Sequence, residues 1–128
     1  MEEQPNPNRT VYDFIERELD SVPHLEALLL LWNNPSRAWT VPEMGQALYV
    51  NDGFARDILN NLARRHLATR KDPELFGYNG SPELDPIVAS LDTEYRRNLI
   101  RISRFIHSKA SPGVREFADA FRFKKDRE

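Results

Sequence analysis

The chain has 128 residues, a formal net charge of −2 and no cysteine. That length allows one domain with its own hydrophobic core, and the missing thiols exclude disulfides and thiolate chemistry. No stretch approaches the ~20 apolar residues of a membrane span, and the acidic, proline-rich start Met1-Glu2-Glu3-Gln4-Pro5 is unlike a secretory leader, which needs a basic start and an apolar run.

Residues 1–9 have the composition of a disordered end, with prolines, asparagines and no apolar periodicity. From Thr10, the positions Val11, Phe14, Ile15 and Leu19 recur at helical spacing and predict an amphipathic helix. Ser21-Val22-Pro23 breaks it and starts the next. His24 to Trp32 is dense in leucine, at Leu25, Leu28, Leu29, Leu30 and Leu31. A helix apolar on most of its circumference is buried on several sides. Asn33-Asn34-Pro35-Ser36 is its turn. Thr40-Val41-Pro42-Glu43 then fits a capping box, with Trp39 as a hydrophobic staple and Val41, Met44, Ala47 and Leu48 as the buried stripe.

Tyr49-Val50-Asn51 is the next turn. From Gly53 to Arg65, the spacing puts Ala55, Ile58, Leu59 and Leu62 inward and Arg56, Asp57, Asn60, Asn61 and Arg64 outward, with Phe54 open. Leu67 to Arg70 alternates weakly as a strand, Lys71 to Leu75 reads as a hairpin tip, and Phe76-Gly77-Tyr78 returns. A long helix is expected from about Pro86 to His107, on the stripe Ile87, Leu91, Tyr95, Leu99, Ile102 and Ile106. A short one follows, carrying Val114, Phe117 and Phe121.

This order predicts a mainly α fold with a small β-hairpin wing: a winged helix-turn-helix with a flanking N-terminal helix and a long C-terminal helix. The expected division is a disordered 1–9, the N-terminal helix and winged module over 10–80, dimerisation helices over 81–123 and a charged tail at 124–128.

Pro23 to Tyr78 resembles the winged helix-turn-helix regulators of bacteria. Leu25 to Trp32 is similar to their first helix and Trp39 to Leu48 to their second. Ile58 to Arg70 resembles their recognition helix running into its wing, except that His66 stands where a glycine is often found. Glycine enters a left-handed turn more readily than histidine. The outer helices resemble the dimerising helices of MarR and PadR type regulators. The resemblance implies a homodimeric transcriptional regulator that binds double-stranded DNA, and the lack of cysteine fits a cytoplasmic protein.

Arg56, Asn60 and Arg64 stand four apart on one helical face. Arginine bonds guanine bidentately and asparagine bonds adenine, so these residues, with Asn61, are candidate DNA contacts, and Arg70 and Lys71 are candidate wing contacts. Two readings remain open for them, DNA contact and a solvated surface, because winged helices also bind proteins. Charge counts against DNA. The stretch 40–80 has five basic and five acidic side chains, and Asp72 and Glu74 on the wing would repel phosphate. The first 39 residues carry three basic and seven acidic side chains, and the last 48 carry ten and eight.

Arg97, Arg101 and Arg104 share a face that matches the acidic Asp13, Glu16 and Asp20. Ion pairing between these faces, within or between chains, is expected. Leu91, Tyr95, Leu99, Ile102, Phe105, Ile106, Phe117 and Phe121 are the candidate dimerisation residues. His24, His66 and His107 lack metal-site spacing, the serines lack nucleophile-elbow glycines, and the five glycines are scattered. The expectation is a non-enzyme without metal or cofactor. Its two candidate functions are a DNA-binding regulator and a winged-helix module for a protein partner.

Overall fold

The structure is a computed structural model that describes residues 7–110. Outside the described residues lie the expected short helix with Val114, Phe117 and Phe121, the 124–128 tail and most of the expected disordered start. The elements run α1 (Pro7–Glu18), α2 (Val22–Asn33), β1 (Trp39–Thr40), α3 (Val41–Leu48), α4 (Asp52–Arg64), β2 (Ala68–Asp72), β3 (Leu75–Tyr78), α5 (Leu84–Arg97) and α6 (Leu99–Ala110). The chain is mainly helical with one small antiparallel sheet.

The helix α1 begins three residues before the expected Thr10, since a proline in the first turn loses no intrahelical hydrogen bond. Val11, Phe14, Ile15 and Leu19 are its buried stripe, as the spacing predicts. Ser21 caps α2 by accepting from the His24 N–H. Inside α2, Leu25, Ala27, Leu28, Leu29 and Leu31 are buried. It packs against α3, α4, β3, α5 and α6, which accounts for a helix apolar nearly all round.

The Thr40 capping box is formed in both directions: Thr40 Oγ1 accepts from the Glu43 N–H at 3.2 Å, and Glu43 Oε1 accepts from the Thr40 N–H at 2.9 Å. Trp39 does more than precede that cap. It pairs with Phe76 across the short strand β1, which the sequence reading did not anticipate, and is 3% exposed. The sheet order is β1-β3-β2.

The loop between β2 and β3 is a two-residue turn, Pro73-Glu74. Proline cannot take the positive φ of the turns that match strand twist. The ladder slips by one residue between Arg70 and Asp72, and this bulge at Lys71 supplies twist that the turn does not. The bulged Lys71 lies along Gly77, where a β-carbon would meet Lys71 Cε at 2.7 Å, a contact the flexible lysine can relieve by moving.

Both helices of the helix-turn-helix end alike. The Val50 N–H bonds the Gly45 carbonyl at 2.9 Å, and Leu67 bonds Leu62 at 2.9 Å, each closing over a left-handed residue. Those residues are Tyr49 (φ 60°) and His66 (φ 63°). The position where the resemblance led to an expected glycine is therefore left-handed. Asn79 also donates to the His66 carbonyl at 2.7 Å.

The expected long C-terminal helix is broken. Asn98 leaves helical geometry at φ −132°, ψ 50°. Its N–H bonds the Glu94 carbonyl at 2.8 Å, and its side-chain amide donates to the Glu94 carboxylate at 2.6 Å. The first is the last i→i−4 bond of α5 and the second joins two side chains, so the chain turns at Asn98 itself, which an apolar stripe does not reveal. The break leaves Leu99 and Ile100 exposed and turns Ile102 and Ile106 into the core beside α1 and α2.

Within the chain, the expected pairing of the acidic N-terminal face is replaced by another. Glu18 and Asp20 pair with Arg65, at 3.4 and 3.5 Å, and Arg65 donates to the Arg17 carbonyl at 2.7 Å. Among the described residues, Arg97, Arg101 and Arg104 make no ion pair with Asp13, Glu16 or Asp20. The carbonyl end of α1 attracts cations, and Arg65 and Lys109 are the side chains that the fold delivers there. Lys109 donates to the Leu19 carbonyl at 2.8 Å.

Two stability predictions follow from these corners. An L-residue in the left-handed region costs about 1–2 kcal/mol, partly offset by the chain entropy glycine loses on folding. His66→Gly, whose ring is exposed, should therefore raise the urea midpoint by up to about 1 kcal/mol in stability. His24 is buried, with Nδ1 2.6 Å from Ser21 Oγ. Burial pushes its pKa below the ordinary value, Asp20 opposes this, and Arg65 and Lys109 add to it. The unfolded chain then binds a proton that the folded chain resists, so stability is intact above about pH 6.5 and falls as pH drops below it. His24→Gln should flatten urea midpoints measured between pH 7 and 5.

Candidate nucleic-acid interface

Asn51 caps α4 by accepting from the Phe54 N–H at 2.8 Å. Ala55, Ile58, Leu59 and Leu62 are fully buried beneath α4, against α2 and α3. With that stripe anchored, Arg56, Asp57 and Arg64 are exposed and Asn60 and Asn61 are half-buried. Phe54, left open by the spacing, lies at the helix start with its ring edge toward His24, centroids 6.4 Å apart.

The wing folds back beside this helix. Arg70 donates to Asn60 Oδ1 and stands 5.0 Å from the Phe76 ring centroid. Arg56 Nη1 meets the Glu74 carboxylate at 3.1 and 3.3 Å, and this partner raises the arginine's pKa above its ordinary value. Arg56, Asn60 and Arg70 are thus brought onto one surface spanning helix and wing. Asn61 is drawn aside, accepting from Arg65 Nε at 3.1 Å. Arg64 is exposed and makes no hydrogen bond or ion pair among the described residues. Lys71 extends along Gly77 from the bulge.

The surface is balanced in charge: Arg56, Arg64, Arg70 and Lys71 against Asp52, Asp57, Asp72 and Glu74, all exposed. Glu74 is recognisable in the sequence as a wing residue, but not as the partner of Arg56, 18 residues away. By position alone, Arg65 is a helix end. No local pattern identifies a side chain whose partners lie 45 and 47 residues earlier.

The candidate dimerisation residues have other uses within the chain. Leu91, Ile102 and Ile106 are fully buried in its own core and Tyr95 nearly so, while Phe105 packs edge-on against Tyr12 at 5.0 Å. Leu99, with its neighbour Ile100, is exposed, and Phe117 and Phe121 lie outside the described residues. A cleft of about 380 Å³ opens between α2, α3 and α5, lined by Leu29, Leu48, Tyr49 and Tyr95. Tyr95 donates to Glu26 at 2.9 Å there, and burial together with that carboxylate pushes its pKa up to about 12. Among the described residues, no three His, Asp or Glu side chains are placed to hold a metal ion. No described helix is long and apolar enough to cross a membrane.

Neither protein-family models nor curated proteins give a match to this chain. Two solved structures are similar to it. One is a MarR family protein of Mycobacterium tuberculosis, Rv2887, at TM-score 0.54 and 14% identity, covering 93% of this chain and 85% of that one. The other is MepR, a transcription regulator of the Staphylococcus aureus multidrug efflux pump MepA, at TM-score 0.52 and 15% identity, covering 93% and 87%. At such identities the likeness is one of fold, and it reaches beyond the helix-turn-helix to the flanking helices. The chain has the winged helix-turn-helix fold of the MarR-type regulators.

Proposed function

We propose that the chain is a DNA-binding transcriptional regulator, without a catalytic role, that lays α4 in the major groove and its wing against the neighbouring phosphates. The observation that carries this reading is the continuous surface of Arg56, Asn60, Arg64 and Arg70. Side chains able to bond base edges stand on a helix whose opposite face is wholly buried. The two similar structures, a MarR family protein and a transcription regulator, support it. The regulator acts as a homodimer with half-sites about one helical turn apart. Among the described candidate dimerisation residues, Leu99, with its neighbour Ile100, is exposed at the α5–α6 corner and left for that contact.

A protein-binding module is the second reading, favoured by the equal numbers of acidic and basic side chains on the surface. Titration of a labelled random-sequence duplex at low and moderate salt separates the two. A DNA binder loses affinity steeply as salt rises, with a logarithmic slope near −0.9 per phosphate contacted. Arg64→Ala should weaken binding and, if the contact is to phosphate, flatten that slope by about 1. No binding at low salt rejects the DNA reading. Light scattering tests the dimer separately: a monomer at roughly tens of micromolar rejects it.

A further inference from the structure

The pairing of cations across the reading surface is uneven. Arg70 bonds the neutral Asn60, so its charge stays uncompensated. Lys71 and Arg64 make no ion pair among the described residues. Arg56 alone of these four meets a carboxylate, taking both oxygens of Glu74 on one nitrogen. Glu74 belongs to the two-residue turn whose proline restricts the backbone beside it. Asp72, at the end of β2 beside that turn, makes no ion pair among the described residues.

The pair is not built for stability. Its side chains are 50% and 56% exposed, so water and salt screen it. Its consequence lies in competition. A carboxylate tethered beside an arginine acts at an effective concentration on the order of millimolar or more. A single DNA phosphate must displace it to reach Arg56, and the displaced carboxylate then remains close by and repels the backbone. A phosphate can also take arginine bidentately, but it meets the repulsion of that carboxylate, whereas a guanine edge offers Arg56 two acceptors and carries no net charge to be repelled.

We infer that Glu74 is a selectivity residue. It holds Arg56 in an internal ion pair, suppresses binding to bare phosphate backbone, and leaves Arg56 to sites whose base edges repay its release. This rests on the DNA reading above. It assigns to the acidic wing the task of lowering non-specific affinity rather than treating it as a flaw in a basic surface.

The test compares the full-length wild type with Glu74→Gln, Asp72→Asn, Arg56→Ala and the double variant Arg56→Ala/Glu74→Gln on a labelled random-sequence duplex. All the replaced side chains are exposed, so thermal midpoints close to wild type are expected. Glu74→Gln should tighten binding about tenfold and steepen the salt slope by about 0.9, the signature of one further phosphate contact. Asp72→Asn should tighten it by only about twofold, the effect of removing a carboxylate that restrains no cation. The double variant should bind within about twofold of Arg56→Ala, since the freed arginine carries the gain. Equal gains from Asp72→Asn and Glu74→Gln overturn the inference, as does a gain that persists without Arg56. Wild-type binding with no gain in Glu74→Gln overturns it while leaving the DNA reading standing. No binding by any of the five removes both.

Discussion

The structure depends on one apolar helix that must be covered on several sides. In α2, Leu25, Leu28 and Leu31 are entirely shielded from water, and each such side chain contributes roughly 1.5–3 kcal/mol when buried. No single neighbour can cover that circumference. The helices α3 and α4 take one side of it, α5 and α6 another, and β3 also packs there. Because Ile58, Leu59 and Leu62 of α4 are committed to this contact, the opposite face of α4 has no freedom to turn inward. The exposure of Arg56 and Arg64 is a consequence of leucine burial in a different helix.

Around that core the polar groups act as ties rather than as sources of stability. Arg65 connects the end of α4 to the end of α1 through the Arg17 carbonyl and two carboxylates. Lys109 brings α6 to the same place through the Leu19 carbonyl. The terminal carbonyls of α1, which have no helical partners, are thus met by cations from two distant elements. The helices α4 and α6 therefore share an anchor, next to the buried His24. On the wing the ties are looser. Arg56 with Glu74 and Arg70 with Asn60 lie in solvent, where water and ions can replace them. The same fold holds a rigid corner at one end of α4 and an exchangeable polar surface along its open face.

Much of the local structure was legible because it follows from rules acting within a few residues. The Thr40 capping box, the Ser21 break, the stripes of α1 and α4 and the hairpin at Pro73 all appear where residue type and spacing put them. The position of His66 was legible too, as a place needing a left-handed residue, and its φ of 63° meets that need without glycine. Less visible were features in which one residue overrides a pattern. The stripe through Leu99 is continuous, yet α5 ends at Asn98, whose backbone leaves helical geometry. Strand β1 spans two residues and exists because Phe76 lies opposite Trp39, which no periodicity in so short a segment reveals.

The candidate site divides along the same line. The sequence by itself determined which residue types line the outer face of α4 and the wing, since the 3.6-residue period leaves Arg56, Asn60 and Arg64 opposite a buried stripe. It determined as well that the charges there balance. Only the tertiary structure decided how those charges are spent: Arg56 on Glu74, Arg70 on Asn60, and Arg65 on α1 rather than on the open face. Each of these partnerships joins residues 10 to 48 positions apart. Their distances are set by how α1, α4 and the wing pack, and packing is a property of the assembled core rather than of any segment within it.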